Sequence, residues 1–220
     1  MEFIQTIMDV LVRTAPGFLE ATVLTLQITA VALILGTILG LVFALMKISR
    51  SKILQTIANF YITIIRGTPL IVQIMFLYFG ITAIIVLDGF WAGAIALGVH
   101  NGAYIAEIFR GAIQGIDKGQ REASMALGMT RFQSMKRIIF PQALKRSIPP
   151  LGNQFIITLK DSSLVYIISV PELFGIANRD AAQSFQPFET YLVVGFYYLI
   201  LVLIFTLILK WYENRLNVDK

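Results

Sequence analysis

Cysteine is absent from all 220 residues, which excludes a disulfide framework, a thiol nucleophile and a thiolate metal site. Histidine occurs once, as His100, too few for a multi-histidine metal centre. Charge is scarce too: 14% of residues are Asp, Glu, Lys or Arg, where a soluble domain usually carries about 25%. No GxxxxGK(S/T) phosphate loop is present, so the sequence holds no nucleotide-cradling turn of that kind. Internal repeats, low-complexity tracts and a separate polar domain are likewise missing. The chain is instead 57% hydrophobic with a mean hydropathy of +0.76, the profile of an integral membrane protein. A net charge of +5 could suit nucleic acid, but the basic residues cluster beside apolar blocks, which is a membrane-topology pattern.

A span needs about 20 apolar residues. The apolar blocks predict one all-α transmembrane domain over 1–220, with five spans at about 21–46, 53–87, 90–113, 148–169 and 190–209 and a polar loop at 114–147. The opening segment Met1–Pro16 starts acidic and has no long apolar core before a small-residue cleavage site, so it reads as a short amphipathic helix at the outer interface rather than a cleaved signal. Gly36 and Gly40 form a GxxxG pair, suited to close helix approach. The second block is too long for one simple span and is interrupted by Arg66-Gly67-Thr68-Pro69. Either it bends there with Arg66 inside it, or the true span begins at Pro69 and runs to Leu87. Asp88-Gly89 forms an outer turn, Pro171-Glu172 opens a short outer helix, and Lys210, Trp211 and Tyr212 anchor the last span.

Five spans put the two ends on opposite sides. The inner loops then hold thirteen Lys/Arg and four acids (Asp117, Glu122, Glu213, Asp219), and the outer ones two Lys/Arg (Arg13, Arg179) and seven acids. Positive charge marks the cytoplasmic side, so the amino end is outside and the carboxyl end inside.

The longest polar interval, Asp117–Pro141, reads as two short helices and a turn. Asp117 caps the first helix, with Gln120 in the capping-box position. Gly128 ends it in the left-handed conformation that suits glycine. Thr130 opens the second helix, with Gln133 as its box partner. A basic loop that merely forms two helices has the same appearance; a docking element for a cytoplasmic partner is the sharper reading.

Ionisable residues within spans are costly and mark candidate sites. Lys160 and Asp161 lie in the fourth span, where Gln154, Thr158 and Asp161 share one helical face. The third span carries His100, Asn101, Tyr104, Glu107 and Arg110. These groups either line a path for a zwitterionic solute or act as internal glue, with Lys160 pairing to Asp161 or Glu107 and amides bonding across helices. Glu107 and Arg110, near the inner end, read as a structural pair or as side chains snorkelling to the interface, and His100 as a packing residue more than a proton relay.

Glu122-Ala123-Ser124, three residues, Gly128, nine residues, Ile138, one residue, Phe140-Pro141 resembles the EAA loop of ABC-importer permeases. Ser124 stands where that pattern has a second Ala, and Phe140 where it has Leu. Arg66–Gln73, Ala103–Arg110, Leu151–Phe155, Leu159–Leu164 and Val170–Leu173 are similar to the branch that imports polar amino acids. The resemblance implies a type I importer fold in the bacterial inner membrane and a permease pair of identical or different subunits. It also implies two ATPase subunits that hold ATP and Mg, a solute-binding protein outside, and no cofactor on this chain. Asp117, Glu122, Ala123, Ser124 and Gly128 would then couple to the ATPase. Asp161, Asn101, Gln154, Ser162 and Lys160 are the candidate solute contacts. The alternative from another class is a self-contained ion- or proton-coupled carrier or channel using Asp161, Glu107 and His100.

Overall fold

The computed structural model describes residues 2–216, and among them no strand occurs. Asp219, counted above with the inner charges, lies outside the described residues. Helix α1 is Glu2–Ile48, 47 residues without a break despite Pro16, or about 70 Å at 1.5 Å per residue. The opening segment is therefore the first part of a long helix and not a separate interfacial one. Its Val10 and Phe18 are fully buried against Leu173, Val193 and Val194, and that packing holds residues before Pro16 in line with those after it.

The second block is a bent pair. Helix α2 (Lys52–Gly67) and α3 (Leu70–Met75), which continues as a wider-wound turn over Phe76–Gly80, meet at an angle of 106°. Thr68 has φ −119° and ψ 144°, the extended conformation that a following proline imposes. The alternative of one span from Pro69 to Leu87 is not what forms, because helix stops at Gly80. The long block resolves as a sharp bend, with Arg66 in the last turn of its first arm.

Helix α4 (Gly89–Gln114) starts at Asp88, whose carboxylate accepts from Trp91 N. It lies along α1 through two facing glycine pairs. A Cβ on Gly36 would stand 3.1 Å from Gly98 O, and one on Gly40 2.5 Å from Ile105 Cγ2; from the other side, Gly98 would meet Leu35 Cβ at 2.9 Å and Gly102 would meet Leu39 Cβ at 3.0 Å. The partner GxxxG, Gly98–Gly102, completes the one read in the sequence. Tyr61 of α2 donates to Val99 O at 2.6 Å and joins the bent pair to the same core.

Helix α5 (Lys118–Ala126) is short. The helix after it is not: α6 (Arg131–Ser134), a wider turn over Met135–Ile139, and α7 (Phe140–Asp161) run on without interruption. The second helix of the polar interval is thus the stem of the fourth apolar block. That stem ends at Asp161, and Ser162–Ile168 tightens into a 3₁₀ helix, so Lys160 and Asp161 lie in the closing turn of α7 rather than mid-helix. Helix α8 (Leu173–Ser184) packs on α9 (Pro187–Leu216). Among the described residues, α1 and α9 are each long and apolar enough to cross a membrane, and the α2–α3 pair passes the same test if counted as one broken span.

Candidate functional site

The element at 117–134 is built almost wholly by its caps. Asp117 Oδ1 accepts from Gly119 N at 2.7 Å. Gln120 does not close the expected box; its side chain turns to Gln142 at 3.5 Å. At the other end Met129 N donates to Ser124 O at 3.1 Å and Gly128 N to Met125 O at 2.9 Å, the paired bonds of a Schellman cap, with Gly128 at φ +79°. Thr130 and Gln133 form the full reciprocal box, at 3.2 and 2.8 Å. Ser124 and Ser134, both buried, share a hydrogen bond of 2.5 Å between their hydroxyls and fix α5 against the stem. What stays outside is a small protrusion: Glu122 and Ala123 are exposed, and so are Leu127 and Phe132, at 80% and 75%. Rigid caps beneath an exposed apolar tip make a knob that a partner's groove can hold.

The polar groups between helices fall into separate sets. Asn101 is fully buried. Its Nδ2 donates to Leu97 O at 2.8 Å, while its Oδ1 accepts from Gln154 Nε2 at 2.6 Å and lies 2.9 Å from the Thr158 hydroxyl. These bonds pin α4 to α7. Ser162 is also buried, donating to Leu159 O at 2.8 Å. Asp161 takes no part in that set, although it shares the face; it is half-buried, and Lys160 is exposed. Lys160 edges a cavity of about 440 Å³ lined also by Phe174, Tyr191 and Tyr198. The five candidate solute contacts thus divide: Asn101, Gln154 and Ser162 are committed to packing in this arrangement, and Asp161 and Lys160 are not.

Glu107 is bound on both sides, 2.7 Å from Lys47 Nζ and 2.7 Å from Arg110 Nη2. Its pairing with Arg110 matches the expectation, Lys47 is an addition, and Lys160 is not its partner. His100 Nδ1 lies 3.1 Å from Gln73 Oε1, and the Arg66 guanidinium sits 5.1 Å over the Tyr104 ring. Gln73 closes the Arg66–Gln73 segment that carries the family resemblance, but neither spacing nor that match pointed to its contact with His100.

On the far side, Glu172 opens α8 as expected, but it is also fully buried. It accepts from Gly175 N at 2.7 Å, Phe174 N at 2.9 Å and Tyr198 Oη at 3.0 Å. Burial pushes its carboxyl up to about 7, against the lowering effect of those donors. Arg13 of α1 pairs with Asp180 of α8 at 2.9 Å, and Asp180 also accepts from Thr190 of α9 at 3.0 Å.

The described residues thus form a bundle of apolar helices with a capped knob standing outside it. Residues 36–218 match the family of binding-protein-dependent transport system inner membrane components. The chain belongs to that family. It is an all-helical permease subunit of an ABC importer. It is 39% identical over 204 residues to the arginine transport system permease protein ArtQ of Bacillus subtilis, covering 92% of this chain and 93% of that one. The glutamine transport system permease protein GlnP of Escherichia coli is 38% identical over 206 residues, covering 92% and 94%. A crystal structure of an amino acid ABC transporter superposes with a TM-score of 0.88 at 38% identity, over 93% of this chain and 96% of that chain. At 20% identity, an inward-facing form of the MetNI methionine ABC transporter shares the fold, with a TM-score of 0.81 over 93% and 98%. As a member of an inner-membrane permease family the chain is a transport subunit.

Proposed function

We propose that this permease imports a polar amino acid, working as one of a pair with two ATPase subunits and an external solute-binding protein. The observation that carries the reading is the capped element at 117–134, whose Schellman turn, capping box and buried Ser124–Ser134 contact hold an exposed Glu122, Ala123 and Leu127 rigidly away from the bundle. Asp117, Glu122, Ala123, Ser124 and Gly128 are the coupling set. ATP and Mg belong to the partner ATPases, whose closure would drive the stem of α6–α7 through the Ser124–Ser134 contact that fixes α5 to it, because α6 runs on into α7 without a break. A ligand-dependent change needs differential contacts in the two end states, and a rigid lever supplies them. The substrate class rests on the arginine and glutamine permeases named above. Orientation follows from charge, with the coupling element in the cytoplasm and the α8 side outside.

The test is a reconstitution of the chain with its ATPase and binding protein, given a panel of labelled amino acids. Uptake of a polar amino acid that requires both partners and ATP is expected. Uptake by the chain alone, driven by an ion gradient, would replace this reading with a self-contained carrier.

A further inference from the structure

Three arginines from three different elements converge on one cavity of about 330 Å³. Arg50 follows the end of α1, Arg121 lies on α5 and Arg131 opens α6; Ile48, Met125, Ser134 and Met135 complete the lining. Among the described residues none of the three arginines takes part in an ion pair. The other polar group of the lining, the Ser134 hydroxyl, is already held by Ser124. All three arginines are exposed, so water already compensates their charges, and three like charges lining one space favour an anion that enters it. Planar guanidiniums bind phosphate oxygens in a bidentate fork, and the Ile48, Met125 and Met135 side chains offer an apolar wall beside them.

We propose that this cavity binds a phosphate group, and that filling it braces the coupling helix α5 against the end of α1. Two sources fit the chemistry, the headgroup of an anionic phospholipid and free inorganic phosphate. The cavity sits directly after the apolar run of α1, where the proposed topology puts the cytoplasmic membrane surface, and basic residues at such a surface are attracted to anionic lipid. The inference rests on the proposed cytoplasmic placement of the loop, which is tested separately by cysteine labelling; phosphate binding is read without reference to sidedness.

The assembled complex is placed in nanodiscs of phosphatidylcholine alone or with phosphatidylglycerol, and retained lipid is counted by native mass spectrometry beside the thermal midpoint. Phosphatidylglycerol should be retained in preference to phosphatidylcholine and should raise the midpoint. The R50Q/R131Q variant should lose that preference by about tenfold, a change expected from losing charge-assisted hydrogen bonds. K136Q/K145Q removes the same charge nearby without touching the lining and should keep it. If inorganic phosphate added to phosphatidylcholine discs raises the midpoint of the wild type but not of R50Q/R131Q, while phosphatidylglycerol does nothing, the site is real and its source is the free ion. Equal losses in both double variants would reduce the effect to diffuse surface charge and overturn the site. So would a wild type indifferent to both anions, a result that needs no variant to fold.

Discussion

Gln73 of α3 and His100 of α4 meet at 3.1 Å beside the bend of the second apolar block. Gln73 Nε2 faces three oxygens, Ile65 O at 2.8 Å, Thr68 O at 3.1 Å and Thr68 Oγ1 at 2.9 Å. Its Oε1 therefore only accepts, and the His100 nitrogen facing it carries the proton. Pro69 has no N–H to give, so the turn before it leaves carbonyls that a low-dielectric setting does not forgive. One glutamine side chain satisfies them and anchors the bend to α4.

Gln73→Leu keeps the volume and removes every one of these bonds. It should lower the thermal midpoint of the assembled permease, at a cost of about 2–3 kcal/mol for the unsatisfied carbonyls. His100→Phe keeps the ring packing on Tyr104, 5.1 Å between centroids, and should cost less. Because His100 is occupied by Gln73, the same variant should leave the pH profile of uptake unchanged; a shifted profile would restore the proton-relay role.

Glu172 gives a pH dependence of definite sign. Its ordinary carboxyl value of 4.5 rises to about 7 in the fold through burial, so the folded state holds this proton more tightly than the unfolded chain does. The contribution to stability is complete below about pH 4.5, falls as pH rises to about 7 and is level above it. In a pH series of thermal midpoints the wild type should show this slope and Glu172→Gln should lack it. Glu172→Ala should also lose the cap of α8, about 1 kcal/mol, and leave Tyr198 without its acceptor.

The coupling element predicts a split between assembly and turnover. Gly128 has φ +79° with open space around its Cβ position, so Gly128→Val strains the backbone without any clash, by about 1–2 kcal/mol. Glu122→Lys reverses the charge of the exposed face. Both should insert normally yet abolish solute-stimulated ATP hydrolysis or release the ATPase. Ser124→Ala and Ser134→Ala should each weaken the same readout, and the double variant should do little more than either, as expected for two residues that act through one bond.

Much of this was legible in the sequence because it is local. Asp117, Thr130 and Glu172 each cap the helix they were expected to open, Asp88, expected only as part of a turn, caps α4, and Gly128 takes the left-handed conformation, since caps are decided within a few residues. Apolar runs located the helices for the same reason, and Gly36–Gly40 announced its close packing. What could not be read was decided at long range. Gly98–Gly102 had no meaning until α1 lay beside it, and the amide of Asn101 was bound by a residue 53 positions away. The continuity of α6 into α7 was hidden because Pro141, Pro149 and Pro150 look like breaks, whereas all three are carried inside the stem.

Sidedness is tested by cysteine substitution, which the cysteine-free chain makes clean. Cysteines placed at Ser51 and Lys118 should be labelled by an impermeant reagent only from the cytoplasm, and one at Asp180 only from outside. Labelling of the Lys118 and Asp180 positions from one side would overturn both the five-span arrangement and the cytoplasmic docking of α5.

Asp161 carries the solute-site prediction. A free amino acid brings an ammonium and a carboxylate into a water-poor path, and each needs a counter-group, because an unpaired buried charge is expensive. Asn101 and Gln154 spend their amides on one another and on Leu97 O, and Ser162 spends its hydroxyl on Leu159 O; in this arrangement they offer a solute nothing unless the α4–α7 contact opens. Asp161 and Lys160 sit next to each other where α7 gives way to the 3₁₀ turn, close enough for their charges to interact but without a direct ion pair, so an ammonium can compete for the carboxylate and a carboxylate for the lysine. Asp161→Asn should therefore weaken solute affinity of the detergent-solubilised complex by about tenfold or more, with assembly and basal ATP hydrolysis intact. Asn101→Ala should do the reverse, lowering the thermal midpoint by breaking the α4–α7 hub while the folded fraction binds solute as before. Affinity and midpoint measured on one preparation separate the two roles, and an Asp161→Asn complex that loses stability but keeps its affinity would remove Asp161 from the solute path.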